Sequence, residues 1–145
     1  MKRNITRGAI SLLVLAVIIQ LIPYGRDHTN PSINVQPQWD SPVTRSLAQR
    51  ACFDCHSNQT VWPWYSNIAP VSWLIYHDVT EGREHINFSD WNRPAHQHAD
   101  EFQEVFEKNS MPPASYLLVH PTARLSPDER QQLFDGLMML AEGHP

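Results

Sequence analysis

The chain has 145 residues, enough for one compact domain and too few for two. It carries 11 basic and 15 acidic side chains, and three of the basic ones precede the first apolar run: Lys2, Arg3 and Arg7. The acidic remainder contains a single lysine, Lys108, which argues against nucleic acid as a partner. With only two cysteines, a scaffold of several disulfides is excluded.

An apolar segment opens the chain. Residues 9–22 contain two polar side chains, Ser11 and Gln20, and no charge. Extending the segment to 5–24 gives 20 residues, or about 30 Å of helix, which matches a bilayer core. We therefore expect residues 1–23 to form an uncleaved signal anchor, a single-pass transmembrane helix in a bacterial inner membrane. The basic residues before it predict that the remaining chain is periplasmic. A cleaved signal peptide and a buried core helix are the alternatives.

The apolar segment is followed by a change in composition. Residues 24–41 contain Pro31 and Pro37, few apolar side chains and no helical or strand period, which predicts an extended linker. We expect residues 42–145 to form a single domain after this linker.

Helix signals recur in that domain. Ser41 precedes a proline and predicts an N-cap. Apolar residues at helical spacing predict helices within 68–86 and 95–108. Ser126 opens a capping box for a last helix. Alternating strand patterns are absent from the sequence, so we predict an all-α chain with a body of about four helices. We expect the segment between Ser110 and Tyr116 to be irregular.

The two cysteines lie in one short motif. Residues 52–56 read Cys-Phe-Asp-Cys-His, a C-x-x-C-H sequence that signals attachment of c-type haem. On a helical turn, residues three apart face the same side. The thiols of Cys52 and Cys55 can therefore add to two vinyl groups along one porphyrin edge, and His56 can bind the iron as the proximal ligand. We expect one covalent haem c.

Two other uses of this motif stay open. A thioredoxin-like dithiol or disulfide would need a βαβ context, which the helical patterning does not provide. A zinc site would need two distant histidines, because the chain has no second cysteine pair.

A methionine is the expected ligand on the second axial side of the iron. Met111 precedes two prolines, which exclude a regular helix and stiffen the backbone. His77 and His120 are the rival ligands, whereas Met138 and Met139 are expected to be core residues of the last helix. Four histidines in polar or terminal stretches are expected to be solvated: His28, His96, His98 and His144.

Aromatic residues are concentrated just after the motif. Trp62, Trp64 and Tyr65 are the nearest of them, and we expect their rings to cover the flat apolar haem, although an ordinary aromatic core would show the same pattern. A proximal histidine also needs an acceptor for its second ring nitrogen. We expect a backbone carbonyl from residues 62–69.

Five stretches carry a resemblance to a known family: CFDCHSN (52–58), WPWYSNIAPVSWLI (62–75), EGREHINFSDW (81–91), MPPASYLLVHP (111–121) and LSPDER (125–130). The chain resembles the haem-binding domain family of small bacterial c-type cytochromes. The resemblance implies haem c on Cys52, Cys55 and His56, with the family's Met-Pro-Pro at Met111. It also implies a variant of the class I cytochrome c fold, with a tryptophan-rich segment where ordinary cytochromes c have a glycine-containing loop.

These observations predict a membrane-anchored cytochrome that carries electrons on the periplasmic side. Redox proteins are the expected partners, and the acidic body favours those with a basic surface by electrostatic steering. No acid–base or nucleophile group is evident near the motif, so no catalytic residue is assigned. The alternatives are a peroxidase-like haem enzyme, with His77 or His120 as its distal group, and a haem-based sensor or binding module.

Overall fold

The computed structural model describes residues 2–92 and 99–143. His96, His98 and His144, which we expected to be solvated, lie outside these ranges. The described residues form seven α-helices: α1 (Lys2–Ile19), α2 (Pro42–Ala51), α3 (Phe53–His56), α4 (Val71–His85), α5 (Ala99–Glu107), α6 (Ala114–Val119) and α7 (Pro127–Ala141). Two 3₁₀ turns accompany them, at Trp64–Asn67 and Pro121–Ala123. The prediction of an all-helical chain is confirmed.

The N-terminal helix is too short in its apolar part to be the expected membrane span. Within the described ranges, no helix is both long and apolar enough to cross a bilayer. The predictions of a transmembrane helix at 1–23 and of a single-pass inner-membrane protein with a periplasmic domain are therefore wrong. The physical reason is that α1 includes the three basic side chains of the N-terminus and ends at Ile19. Its uncharged part, 8–19, measures about 18 Å, well short of the ~30 Å hydrocarbon core.

The end of α1 is attached to the rest of the chain by one side chain. The amide nitrogen of Gln20 donates to the carbonyl of Ala69 over 2.9 Å, and the amide oxygen accepts from the N–H of Ala69 over 3.0 Å. The side chain thus satisfies both backbone groups of one residue, as a neighbouring strand would.

The segment 24–41 contains no helix and runs along the other elements. Gly25 has φ +77°, and a Cβ there would lie 2.5 Å from the carbonyl oxygen of Ser72, so glycine is required at this contact. His28 stacks on Trp62 with ring centroids 4.5 Å apart, and its Nε2 lies 3.2 Å from the carbonyl of Ser66. His28 is therefore half-buried rather than solvated, since the segment packs against the body.

The main core lies where α2, α5 and α7 meet α3. Ser41 caps α2 through the N–H of Thr44, and Ser126 forms the predicted capping box with Glu129 at the start of α7. A Cβ on Gly136 would lie 2.3 Å from Thr44, so α2 and α7 cross closely there. The buried core residues are Leu47, Ala48, Phe53, Phe88, Trp91, Phe102, Leu133, Leu137 and Leu140.

Helices α4 and α5 agree with the sequence pattern, whereas the start of α6 does not. Helix α4 occupies the predicted 68–86 region, and α5 lies within 95–108, of which the structure describes residues from 99 onward. The segment expected to be irregular as far as Tyr116 instead begins helix α6 at Ala114, directly after the prolines. Proline at the residue before a helix is compatible with helix initiation, because its φ is already restricted.

Candidate functional site

The C-x-x-C-H motif forms the short helix α3. Cys52 stands at the junction with α2, and its carbonyl accepts from the N–H of His56 over 2.9 Å. This helical turn places both thiols on one side, as the spacing predicted. Cys52 and Cys55 are unbridged and half-buried, and both line one cavity together with His56.

That cavity has a volume of about 530 Å³, which is within the range of small-molecule and cofactor sites. Its lining comes from the motif, α4, α5, the loop at Met111, α6 and α7. The apolar side chains on these walls are mainly Ile86, Phe88, Phe102, Val105, Phe106, Leu125, Leu133 and Leu137. Transfer of a flat apolar group from water into such a space is favourable.

The imidazole of His56 is held by the end of α4. Its Nδ1 lies 2.9 Å from the carbonyl oxygen of Gly82 and 3.1 Å from that of Ile86. Because both oxygens only accept, Nδ1 carries the proton and the lone pair is on Nε2, the nitrogen that would bind a metal. The partner was expected from residues 62–69. It comes from α4 instead, because that helix packs directly against α3.

Gly82 makes this close packing possible. A Cβ at this position would lie 2.6 Å from the carbonyl oxygen of Cys55 and 3.1 Å from its Cβ. Any larger residue would push α4 away from the motif and from His56. Sequence reasoning missed Gly82, although a glycine inside a helical pattern is a known sign of a packing requirement.

Burial keeps both cysteines in the thiol form. It raises the pKa of Cys52 to about 12, with a smaller contribution from the neighbouring Cys55. Burial also raises the pKa of Cys55 to about 11, with further contributions from Asp78 and Asp54. Zinc binding requires thiolates, and in the part of the chain that the structure describes no group of three or more His, Cys, Asp or Glu side chains is placed to hold a metal ion. This geometry does not favour the zinc alternative.

The loop after α5 brings Met111 to the same cavity. Met111 is 41% exposed, and its carbonyl accepts from Arg130 of α7. Of the rival residues, His77 also lines the cavity. His120 does not, because its ring stacks on Tyr116 and its Nε2 lies 3.5 Å from the hydroxyl of Tyr65.

The other two methionines of the body differ from each other. Met138 packs against the core as expected. Met139 is 46% exposed, so its assignment to the core is wrong. It is one position further around α7 and faces solvent. Neither residue lines the cavity.

The three aromatic residues of the 62–65 segment are not among the residues that line the cavity. Trp62 stacks on His28, Trp64 is 76% exposed and Tyr65 approaches His120. The 3₁₀ turn packs against α4 beside the 24–41 segment, which draws these rings away from the expected position over the cofactor.

Aromatic walls come instead from residues that the sequence analysis did not assign to the site. Phe102 and Phe106 contribute from α5, Phe88 follows α4, and Tyr116 contributes from α6. The spacing of four between Phe102 and Phe106 was the available signal, but it equally indicates an ordinary core face.

One comparison with known proteins finds a match. The family model described as "Haem-binding domain" matches residues 14–138, a range that contains every described residue that lines the cavity. Comparisons with curated proteins and with solved structures give no match.

Proposed function

Because this chain belongs to the haem-binding domain family, we propose that it holds one haem c covalently and transfers single electrons through it. The observation that carries the proposal is the convergence of Cys52, Cys55, His56 and Met111 on one cavity. Two thiols, an imidazole and a thioether are the set that a covalent His/Met haem site requires.

The cavity fits the cofactor in its chemistry as well as in its ligands. Its walls are mainly apolar, and its two cysteines are unbridged, as thioether formation with vinyl groups requires. The bonds from His56 to Gly82 and Ile86 present the basic nitrogen of the imidazole and restrict rotation of the ring. When bound, the haem supplies an iron that changes oxidation state by one electron.

The same contacts indicate what the protein contributes to that chemistry. The phenylalanines and leucines of the walls exclude water, which reduces the solvent reorganisation that accompanies a change of charge. Hydrogen bonds from Nδ1 of His56 to two carbonyls increase the basicity of the ring, which would stabilise the more oxidised state of a bound iron.

We infer that Met111 would be the second residue, besides His56, to hold the haem iron. It lines the cavity on a loop that two prolines and Arg130 restrain. His77 lines the same cavity, but it comes from α4, the helix that already holds His56. Met111 comes from a different part of the lining, the loop after α5, so it could hold the iron together with His56.

Acidic side chains at the cavity support basic redox proteins as partners. Asp78 and Glu81 come from α4, and Glu101 and Glu104 come from α5. Glu104 pairs with Lys108. Asp54 of the motif and Arg130 of α7 also line the cavity, so acidic side chains outnumber basic ones there. Such a field would raise the association rate of a basic partner and would weaken as salt is added.

One observation favours a second function. His77 lines the cavity and its pair of ring nitrogens could act as a distal acid–base group. If Met111 does not bind the iron, a peroxidase-like enzyme or a ligand-binding sensor becomes the better proposal.

Two measurements test the proposal. Haem staining of a denaturing gel after acidic acetone extraction should show covalent haem in the wild type, weaker attachment in Cys52→Ala and Cys55→Ala, and none in the double variant. An optical redox titration should then show a methionine–iron charge-transfer band in the oxidised form and little binding of carbon monoxide or cyanide. Complete loss of haem into the organic phase would falsify covalent attachment, and ready binding of both small ligands would favour the second function.

A further inference from the structure

Arg130 connects three parts of the cavity wall. It lies in the first turns of α7, and it is the one lysine or arginine among the described residues that line the cavity. Its Nη1 donates to the carbonyl of Met111 over 3.2 Å, and its Nη2 donates to the carbonyl of Phe106 over 2.9 Å. The guanidinium carbon also lies 4.6 Å from the centroid of the Phe106 ring, within the range of a cation–π contact.

The two carbonyls lie on either side of a tight turn. Phe106 is in the last turn of α5, where a basic side chain is favourable, and its carbonyl also accepts from the N–H of Asn109 over 3.3 Å. The chain then reverses through Asn109, which has φ +50°, before reaching Met111. One guanidinium therefore joins the end of α5 to the methionine loop and holds both to α7.

The position of α7 at this point is itself restrained. Ser126 and Glu129 form a reciprocal capping box at its first turn, and Leu133 is buried in the core one turn after Arg130. The side chain of Met111 is 41% exposed, so burial restrains it only in part. Its placement then depends on the backbone to which Arg130 is bonded.

We propose that Arg130 is a positioning residue for Met111. It donates to the carbonyls of both Phe106 and Met111, and so keeps the thioether directed to the cavity that His56 lines. The inference rests on the proposed function, in which Met111 is an iron ligand. A planar guanidinium has two parallel donors in a rigid fork, which a lysine does not have. The proposal therefore concerns bond geometry and not only charge.

The main test is Arg130→Gln in the full chain with haem attached. Without the fork, the loop should populate conformations in which the sulfur is away from the cavity. The apparent affinity for cyanide or imidazole should then rise, because these probes compete with a ligand that is bound for a smaller fraction of the time. We expect a rise of at least about tenfold, which corresponds to ~1.4 kcal/mol. The methionine–iron charge-transfer band should weaken and the reduction potential should fall.

Arg130→Lys separates geometry from charge. It keeps the positive charge near the cavity, so a simple electrostatic role would leave the potential unchanged. A positioning role predicts that this variant also binds cyanide more tightly than the wild type and has a weaker charge-transfer band, because one ammonium cannot reproduce the fork. If Arg130→Gln fails to fold, the cyanide binding and the charge-transfer band of Arg130→Lys alone decide whether Arg130 has a positioning role.

Arg50→Gln is the matched control. Arg50 also reaches α7, through a 2.7 Å ion pair with Glu129, but it does not line the cavity. Its loss should leave the band, the potential and cyanide binding unchanged. Equal effects of the Arg50 and Arg130 variants would overturn the proposal.

Met111→Ala distinguishes failure of this inference from failure of the proposed function. If Met111→Ala opens the site and Arg130→Lys behaves as the wild type, the role of Arg130 is wrong and the His/Met site stands. If Met111→Ala leaves the spectrum unchanged, Met111 is not a ligand and both the ligand assignment and the role of Arg130 are overturned, whereas covalent attachment is judged by the haem stain.

Discussion

The hydroxyl of Tyr116 donates a hydrogen bond to Oδ2 of Asp54 over 2.7 Å, joining residues 62 positions apart. Asp54 is the central residue of the C-x-x-C-H motif, and Tyr116 belongs to α6, just after the methionine loop. Burial and the adjacent carboxylate raise the pKa of Tyr116, so the phenol keeps the proton that it donates. This bond ties together the two chain segments that carry the proposed axial ligands.

Removing that hydroxyl should destabilise the protein. Tyr116→Phe leaves the ring in place but deprives Asp54 of a donor. A hydrogen bond to a charged group contributes about 1.5–3 kcal/mol, and we expect a loss of that size in the free energy of unfolding measured with urea. Tyr24→Phe is the control, because Tyr24 is 51% exposed. A loss as small as that of the control would show that the bond is not formed in solution.

Gly82 should not tolerate a methyl group. In Gly82→Ala, the new Cβ would lie 2.6 Å from the carbonyl oxygen of Cys55, and the backbone of α4 must move away from α3. We expect a loss of about 1–3 kcal/mol from overpacking, together with less attached haem per protein on a stained gel. Gly8→Ala is the matched control, because nothing lies within 4 Å of its Cβ position, and alanine favours a helix. Gly82→Ala should lower the free energy of unfolding, and Gly8→Ala should raise it.

Replacement of Met111 should change the reduction potential and ligand binding, whereas replacement of a methionine of similar exposure should not. Met111→Ala should lower the reduction potential and permit binding of exogenous ligands, because thioether ligation raises the potential and occupies the sixth position. Met111→His should restore six-coordination at a lower potential, since imidazole is a harder ligand. The control is Met139→Ala, whose side chain is 46% exposed against 41% for Met111. If His77→Ala shifts the spectrum and Met111→Ala does not, the site has two histidine ligands.

The cap of α7 should contribute measurably to stability. Ser126→Ala removes the oxygen that accepts from the N–H of Glu129 over 3.2 Å, and the loss of such a cap costs about 0.5–2 kcal/mol. Thermal or urea unfolding would measure it. Ser46→Ala, at an exposed position inside α2, should be neutral or slightly stabilising, because alanine has the higher helix propensity. Equal effects at both positions would contradict a role for the cap.

Much of the chain could be predicted from local chemistry. The helical turn that presents Cys52 and Cys55 to one side follows from their spacing, and the caps at Ser41 and Ser126 follow from side chains that bond to N–H groups three residues away. Interactions of this kind are complete within one or two helical turns. They therefore depend only on residues that are close in sequence, and they can be predicted without knowing the fold.

The length of the first helix could not be predicted from local chemistry. The apolar run was visible in the sequence, but the helix includes three charges at one end and stops at Ile19. The bonds between Gln20 and Ala69 join residues 49 positions apart. A hydropathy pattern contains no information about such a partner.

The surroundings of the motif were decided by tertiary packing alone. The acceptors of His56 come from residues 26 and 30 positions away, and the hydrogen bond from Arg130 to Met111 spans 19. Trp62 was expected over the cofactor but packs on His28, because the 24–41 segment folds back against it. Residue types and spacing identify which side chains can bind a haem. Only the crossing of α4, α5 and α7 around α3 determines which of them reach the same cavity.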